Sequence, residues 1–131
     1  MRVWLVLAWG VWMVSLTATR VPVFHSNLTL WEAAVVGSVK PRPWVNLGTA
    51  RLEQGDLDGA EAAYQQARDF AVPAWRTERD QINALTSLGQ VEILIGRGQV
   101  EAARVRAWGT VTQWPQWAAA VHACQALHCQ P

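Results

Sequence analysis

The chain has 131 residues and a formal net charge of +1, so it has room for one modest core and no bulk field to draw nucleic acid or an acidic substrate. Nine tryptophans against one tyrosine and two phenylalanines point to interfaces with lipid or protein, and two cysteines are too few for a disulfide scaffold.

Residues 3–18 (VWLVLAWGVWMVSLTA) follow Met1-Arg2 and carry no charge. A basic start and an apolar core suit a secretory signal, but Leu16 stands where a small residue is needed upstream of Ala18. As an uncleaved anchor the segment is short: at about 1.5 Å per residue it covers about 24 Å, against about 30 Å of hydrocarbon. The bilayer must then thin, or Arg20 must snorkel. Trp4, Trp9 and Trp12 favour the anchor. Trp4 and Trp12 share a face two turns apart, suited to headgroup contact or to packing on another transmembrane helix or beside a neighbour's apolar cofactor. The expectation is a transmembrane signal-anchor helix over 1–19, in a bacterial inner membrane. A short basic start usually stays inside, which sends the soluble domain to the periplasm.

Residues 20–40 are expected to hold a linker and a single helix. Pro22 keeps Arg20–Phe24 extended, and Ser26, Asn27 or Thr29 can cap the helix, with Glu32 three residues after Thr29 as in a capping box. The helix is predicted over 28–39, with Leu30, Trp31, Ala34 and Val35 inward.

Pro41 and Pro43 break the chain and start the next helix, since proline is tolerated in a first turn. From Trp44 to Ala67 (WVNLGTARLEQGDLDGAEAAYQQA) apolar and small residues recur at helical spacing, pause at Gly55-Asp56, and recur again. The pattern predicts two short amphipathic helices joined by a tight turn, with Asp56 capping the second. Gly48 and Ala60 lack the bulk to hold antiparallel helices apart. Trp44, Leu47 and Tyr64 fill the space on either side, and Ala67 continues the contact.

At these residues the chain resembles a tetratricopeptide repeat, whose unit of about 34 residues carries Trp, Leu-Gly, Ala, Phe/Tyr and Ala at the same offsets. The unit is expected over 41–74, closed by Pro73, and the resemblance makes the helix within 20–40 a half-repeat, the second half of a preceding unit that has no first half. Arg51 stands where that family usually packs a tyrosine, and its guanidinium is expected to turn outward. A second, degenerate unit is expected over 75–114, because Leu85, Leu88 and Gly89 repeat the spacing of Trp44, Leu47 and Gly48. Its turn, Gly96-Arg97-Gly98, reads as two residues longer, and Ala107 and Thr110 replace the aromatic and the alanine. Residues 115–131 complete the chain as a capping helix and tail. The expected fold is all-α: one N-terminal transmembrane helix, then a short tetratricopeptide-like α-solenoid with a C-terminal capping helix.

No charged residue occurs after Arg106. A capping helix normally offers water a polar face. The apolar face carrying Trp108, Trp114, Trp117 and Val121 is therefore expected to dock on another subunit, the alternative being that it tucks into the groove of its own repeats.

His122, Cys124, His128 and Cys129 match no common zinc spacing, and no CxxCH is present for haem, so neither metal nor cofactor is expected. On an unbroken helix the Cα atoms of Cys124 and Cys129 would lie roughly 8–9 Å apart, beyond the ~7 Å limit for a bridge. A disulfide therefore requires the helix to end near Leu127. His25 stands alone, and no nucleophile-base-acid order or phosphate loop occurs, so no catalytic residue or small-molecule substrate is expected. Glu53, Asp56, Asp58 and Glu61 sit at a turn and helix start, where acids favour the helix dipole.

The resemblance implies a concave surface built from the first helix of each unit, often a peptide site. The matching positions are Arg42, Val45, Thr49, Leu52 and Glu53, then Asn83, Thr86, Gln90, Ile93 and Leu94. The cationic clamp that some members close on a peptide carboxylate is absent. An apolar floor of Val45, Leu52, Ile93 and Leu94 suits a helix or aliphatic segment instead. The reading that joins these features is a non-catalytic, membrane-anchored scaffold. It would act as an accessory subunit on the periplasmic face of a larger membrane complex, respiratory or photosynthetic, touching protein subunits and the lipid bilayer. Alternatives are an adaptor holding a peptide or helix in its groove and, more weakly, a redox or metal-binding protein using the Cys/His tail.

Overall fold

Six helices carry this pattern in the computed structural model, which describes residues 26–71 and 76–129. The expected anchor with Trp4, Trp9 and Trp12, and the linker up to residue 25, lie outside the described residues. Among the described residues the chain is all-α, and no helix is long and apolar enough to cross a membrane.

The first helix, α1 (Asn27–Val35), starts at Ser26, whose hydroxyl accepts the Thr29 backbone N–H at 3.1 Å. The capping box expected from Thr29 and Glu32 does not form, because Ser26 already serves as the cap and Glu32 points to Arg51 at 3.8 Å. The helix stops short of Val39: Gly37 takes φ +71° and turns the chain. Leu30, Trp31 and Val35 are half-buried against α2, but Ala34 is exposed.

Next come α2 (Pro41–Glu53) and α3 (Leu57–Ala71), joined by a turn in which Gly55 has φ +78°. The Gly55 N–H donates to Leu52 O at 2.9 Å and the Asp56 N–H to Arg51 O at 3.0 Å, which satisfies two of the helix's last carbonyls. Asp56 then caps α3 as expected, accepting the Gly59 N–H at 3.0 Å. The same pair of bonds joins α4 (Arg76–Gly96) to α5 (Val100–Gln113): Gly98 N–H to Ile95 O at 2.9 Å and Gln99 N–H to Leu94 O at 2.8 Å. The two turns are thus equal in length. The extra residues of the second hairpin extend α4 beyond Gly89, which corrects the expectation of a longer turn.

The last helix, α6 (Ala118–Ala126), packs on α4 and α5. Helix α4 is central, touching α2, α3, α5 and α6. Two cores are strung along it. One gathers Val45, Ala60, Tyr64, Ala67, Ala71, Ile82 and Ile93; the other gathers Val91, Ala103, Ala107 and Cys124.

Tyr64 explains why three helices meet closely. A Cβ on Gly48 of α2 would lie 2.6 Å from its ring, and a Cβ on Gly89 of α4 would clash with the ring's opposite edge and hydroxyl. The ring fills the slot that both glycines leave. Its hydroxyl lies 3.2 Å from that of Thr49, which itself donates to Val45 O at 3.2 Å, so the phenol donates to Thr49. Burial pushes the phenol's pKa up and keeps it neutral.

Arg51 does not turn outward. It donates from Nη1 to Gly59 O at 3.2 Å and lies 3.8 Å from Glu32 and 3.9 Å from Asp56, joining α1, the turn and α3. The carboxylates are half-exposed and contribute little, so the carbonyl hydrogen bond dominates. Arg51→Met, which keeps most of the stem, is expected to cost about 1–2 kcal/mol in urea unfolding, with the loss persisting in high salt. A loss that vanished in salt would assign the effect to the ion pairs instead.

Candidate functional site

The six residues expected to pack the first hairpin are brought together. Leu47, Gly48, Ala60, Tyr64 and Ala67 are buried. Trp44 is half-buried, its ring centroid 6.1 Å from that of Phe70 and its indole N–H donating to Ser38 O at 3.2 Å. The acids at 53–61 are structural: Asp56 caps α3, Asp58 and Glu61 share the Arg97 guanidinium, and Glu53 accepts from Asn27 at 3.5 Å.

The expected groove floor is only partly surface. Val45 and Ile93 are 5 % and 2 % exposed and belong to the first core, so they offer a partner nothing. The cause is the crowding of α4 by four helices, which also seals Thr86. Leu52 is half-buried against the same core, and Thr49 is exposed but engaged by Tyr64. Gln90 and Leu94 remain half-buried, and Gln90 Oε1 is sealed without a hydrogen-bond partner among the described residues.

Accessible concave surface lies further along, around α5 and α6. A groove of about 530 Å³ between α4 and α5 is lined by Leu94, Val105, Arg106 and Trp114, among others. A second, of about 360 Å³, runs between α5 and α6 past Trp108, Val111, Val121 and both cysteines. A third, of about 180 Å³, separates α4 from α6 and is lined mainly by Leu88, Val91, Ile95, Ala123 and Leu127. No protein-family model, curated protein or solved structure matches the chain.

Of the expected docking residues, Trp108 and Val121 meet across the α5–α6 groove. Trp114 does not join them: it is 8 % exposed and closes the end of α5, beside the α4–α5 groove. Trp117 precedes α6 and is half-buried. Charge distinguishes the grooves. The α4–α5 groove carries Arg106, whose charge, after burial, also lowers the Arg68 pKa. The α5–α6 groove is lined by no Asp, Glu, Lys or Arg.

The tail was only conditionally legible. Cys124 and Cys129 are free thiols, and α6 does end at Ala126, the condition a bridge requires. The cause is His128 at φ 53°, a left-handed conformation that histidine does not announce in sequence as glycine does. Among the described residues no three His, Cys, Asp or Glu side chains are grouped to hold a metal ion.

Proposed function

We propose that the protein is a non-catalytic helical-repeat scaffold of the tetratricopeptide type, tethered by residues 1–19 to a bacterial inner membrane. It docks as an accessory subunit on the periplasmic face of a larger membrane protein complex. The observation that carries this reading is the apolar surface that α5 and α6 present around two grooves, whose linings hold Glu92 as their one Asp, Glu, Lys or Arg, a composition typical of an interface. The repeated hairpin turns and the shared Tyr64 slot support the repeat reading.

The full chain extracted in mild detergent is expected to co-migrate stoichiometrically with a large complex on a native gel. Val121→Glu, which places a charge in the wall of the α5–α6 groove, is expected to release it while helical content is kept. A wild-type chain migrating as a free monomer would favour an adaptor instead. That second reading has its own observation, the α4–α5 groove, where Val105 is 75 % exposed beside Arg106 and suits an apolar segment with acidic flanks.

A further inference from the structure

The closing turn of α6 repeats the geometry of the other two hairpin turns but carries different chemistry. The His128 N–H donates to Gln125 O at 3.1 Å, and the Cys129 N–H donates to Cys124 O at 3.0 Å. A turn of this kind brings together the side chains five positions apart that flank it. The α2 turn shows this directly, since its equivalent pair, Arg51 and Asp56, lie 3.9 Å apart. At α6 the equivalent pair is Cys124 and Cys129, which line the same groove and join the same apolar cluster. Helix α5 holds the turn from outside. Arg104 Nε donates to Leu127 O at 2.8 Å, and Cys129 Sγ donates to Arg104 O at 3.5 Å.

We propose that Cys124 and Cys129 form a redox-active dithiol that closes to an intramolecular disulfide by exchange with an incoming disulfide, either a small-molecule one or that of a thiol oxidoreductase. The dithiol depends on the turn alone and stands whether or not the chain docks on a membrane complex.

Access sets the order of attack. Cys129 is half-buried at the groove, whereas Cys124 is buried. Burial and the neighbouring Cys129 thiol push the Cys124 pKa up to about 11, so it is the poorer first nucleophile. The Cys129 sulfur loses its proton and attacks one sulfur of the incoming disulfide. A mixed disulfide forms, the incoming S–S bond breaks, and the first thiol leaves with a proton. Cys124 then attacks the Cys129 sulfur, giving up its own proton, and the second thiol departs. Both cysteines are oxidised, one disulfide is reduced to two thiols, and no other electron acceptor is needed.

The test equilibrates the full chain, in detergent, with reduced and oxidised glutathione, quenches with an alkylating agent, and reads intact mass. Wild type is expected to lose two hydrogens, carry no glutathione and resist alkylation at both cysteines. Cys124→Ser is expected to trap glutathione on Cys129. His128→Gly, which suits the left-handed turn, should close at least as well as wild type. His128→Pro, whose ring excludes positive φ, should lower the closure constant at least about tenfold. Glutathione adducts or intermolecular dimers as the wild-type end product would overturn the proposal. So would a closure constant unchanged in His128→Pro, with circular dichroism confirming that the helices persist.

Discussion

Gly89→Ala is expected to lower unfolding free energy by about 1 kcal/mol, while Gly109→Ala, the same change one helix further on, raises it by up to about 1 kcal/mol. Alanine improves helix propensity at both sites by about the same amount, roughly 1 kcal/mol. The difference is what the added methyl meets. At Gly109 nothing lies within 4 Å, so only the propensity gain remains. At Gly89 the methyl clashes with one edge of the Tyr64 ring, and the ring cannot retreat because Gly48 of α2 closes the far side, where a Cβ would stand only 2.6 Å away. Overpacking of about 1–3 kcal/mol, with no direction in which to relax, outweighs the propensity term. Tyr64→Ala should cost about 3–5 kcal/mol by emptying the slot. In that background Gly89→Ala should become neutral or stabilising, because the clash is gone and the propensity remains. Urea unfolding followed by circular dichroism measures all four variants. Equal effects of Gly89→Ala in the two backgrounds would show that the ring is not what Gly89 accommodates.

That slot also marks how far the sequence could be read. Leu47-Gly48, Ala60, Tyr64 and Ala67 were legible because small residues at helical spacing have one economical use, the close approach of helices. Gly89 was legible as the echo of Gly48, but not as the second wall around the same tyrosine, since spacing says nothing about which hairpin a residue faces. The groove register failed at Val45 and Ile93 for a related reason. An apolar residue on the first helix of a unit can face a partner or the core, and the crowding of α4 decides for the core. The setting of Arg51 carries no sequence mark, because the Gly59 carbonyl and the Glu32 carboxylate that hold it become neighbours only after folding. The turn at His128 lay beyond reach, since its left-handed φ carries no compositional mark.

Ile82→Ala and Val91→Ala are expected to act on different parts of the molecule, although both residues belong to α4. Each is 2 % exposed or less, but Ile82 packs with Val45, Ala60, Tyr64 and Ile93, whereas Val91 packs with Ala103, Ala107 and Cys124. Removing the Ile82 side chain to its Cβ should cost about 3–4 kcal/mol, a large share of the roughly 5–15 kcal/mol that holds a domain of this kind together. Val91→Ala should cost about half as much, by the smaller volume removed. The location of the damage is the sharper observable. Among the described helices α5 and α6 touch only α4 and each other, so weakening their core leaves the contacts of α2 with α3 intact. Amide hydrogen exchange in Val91→Ala should therefore speed up across Val100–Ala126 while α2 and α3 keep near-native protection. Ile82→Ala should expose α2, α3 and the first turns of α4 instead. Such separable openings are what a stack of nearest-neighbour units produces. A uniform loss of protection in both variants would mean that the two clusters fold as one indivisible core and would remove the basis for treating the hairpins as repeats.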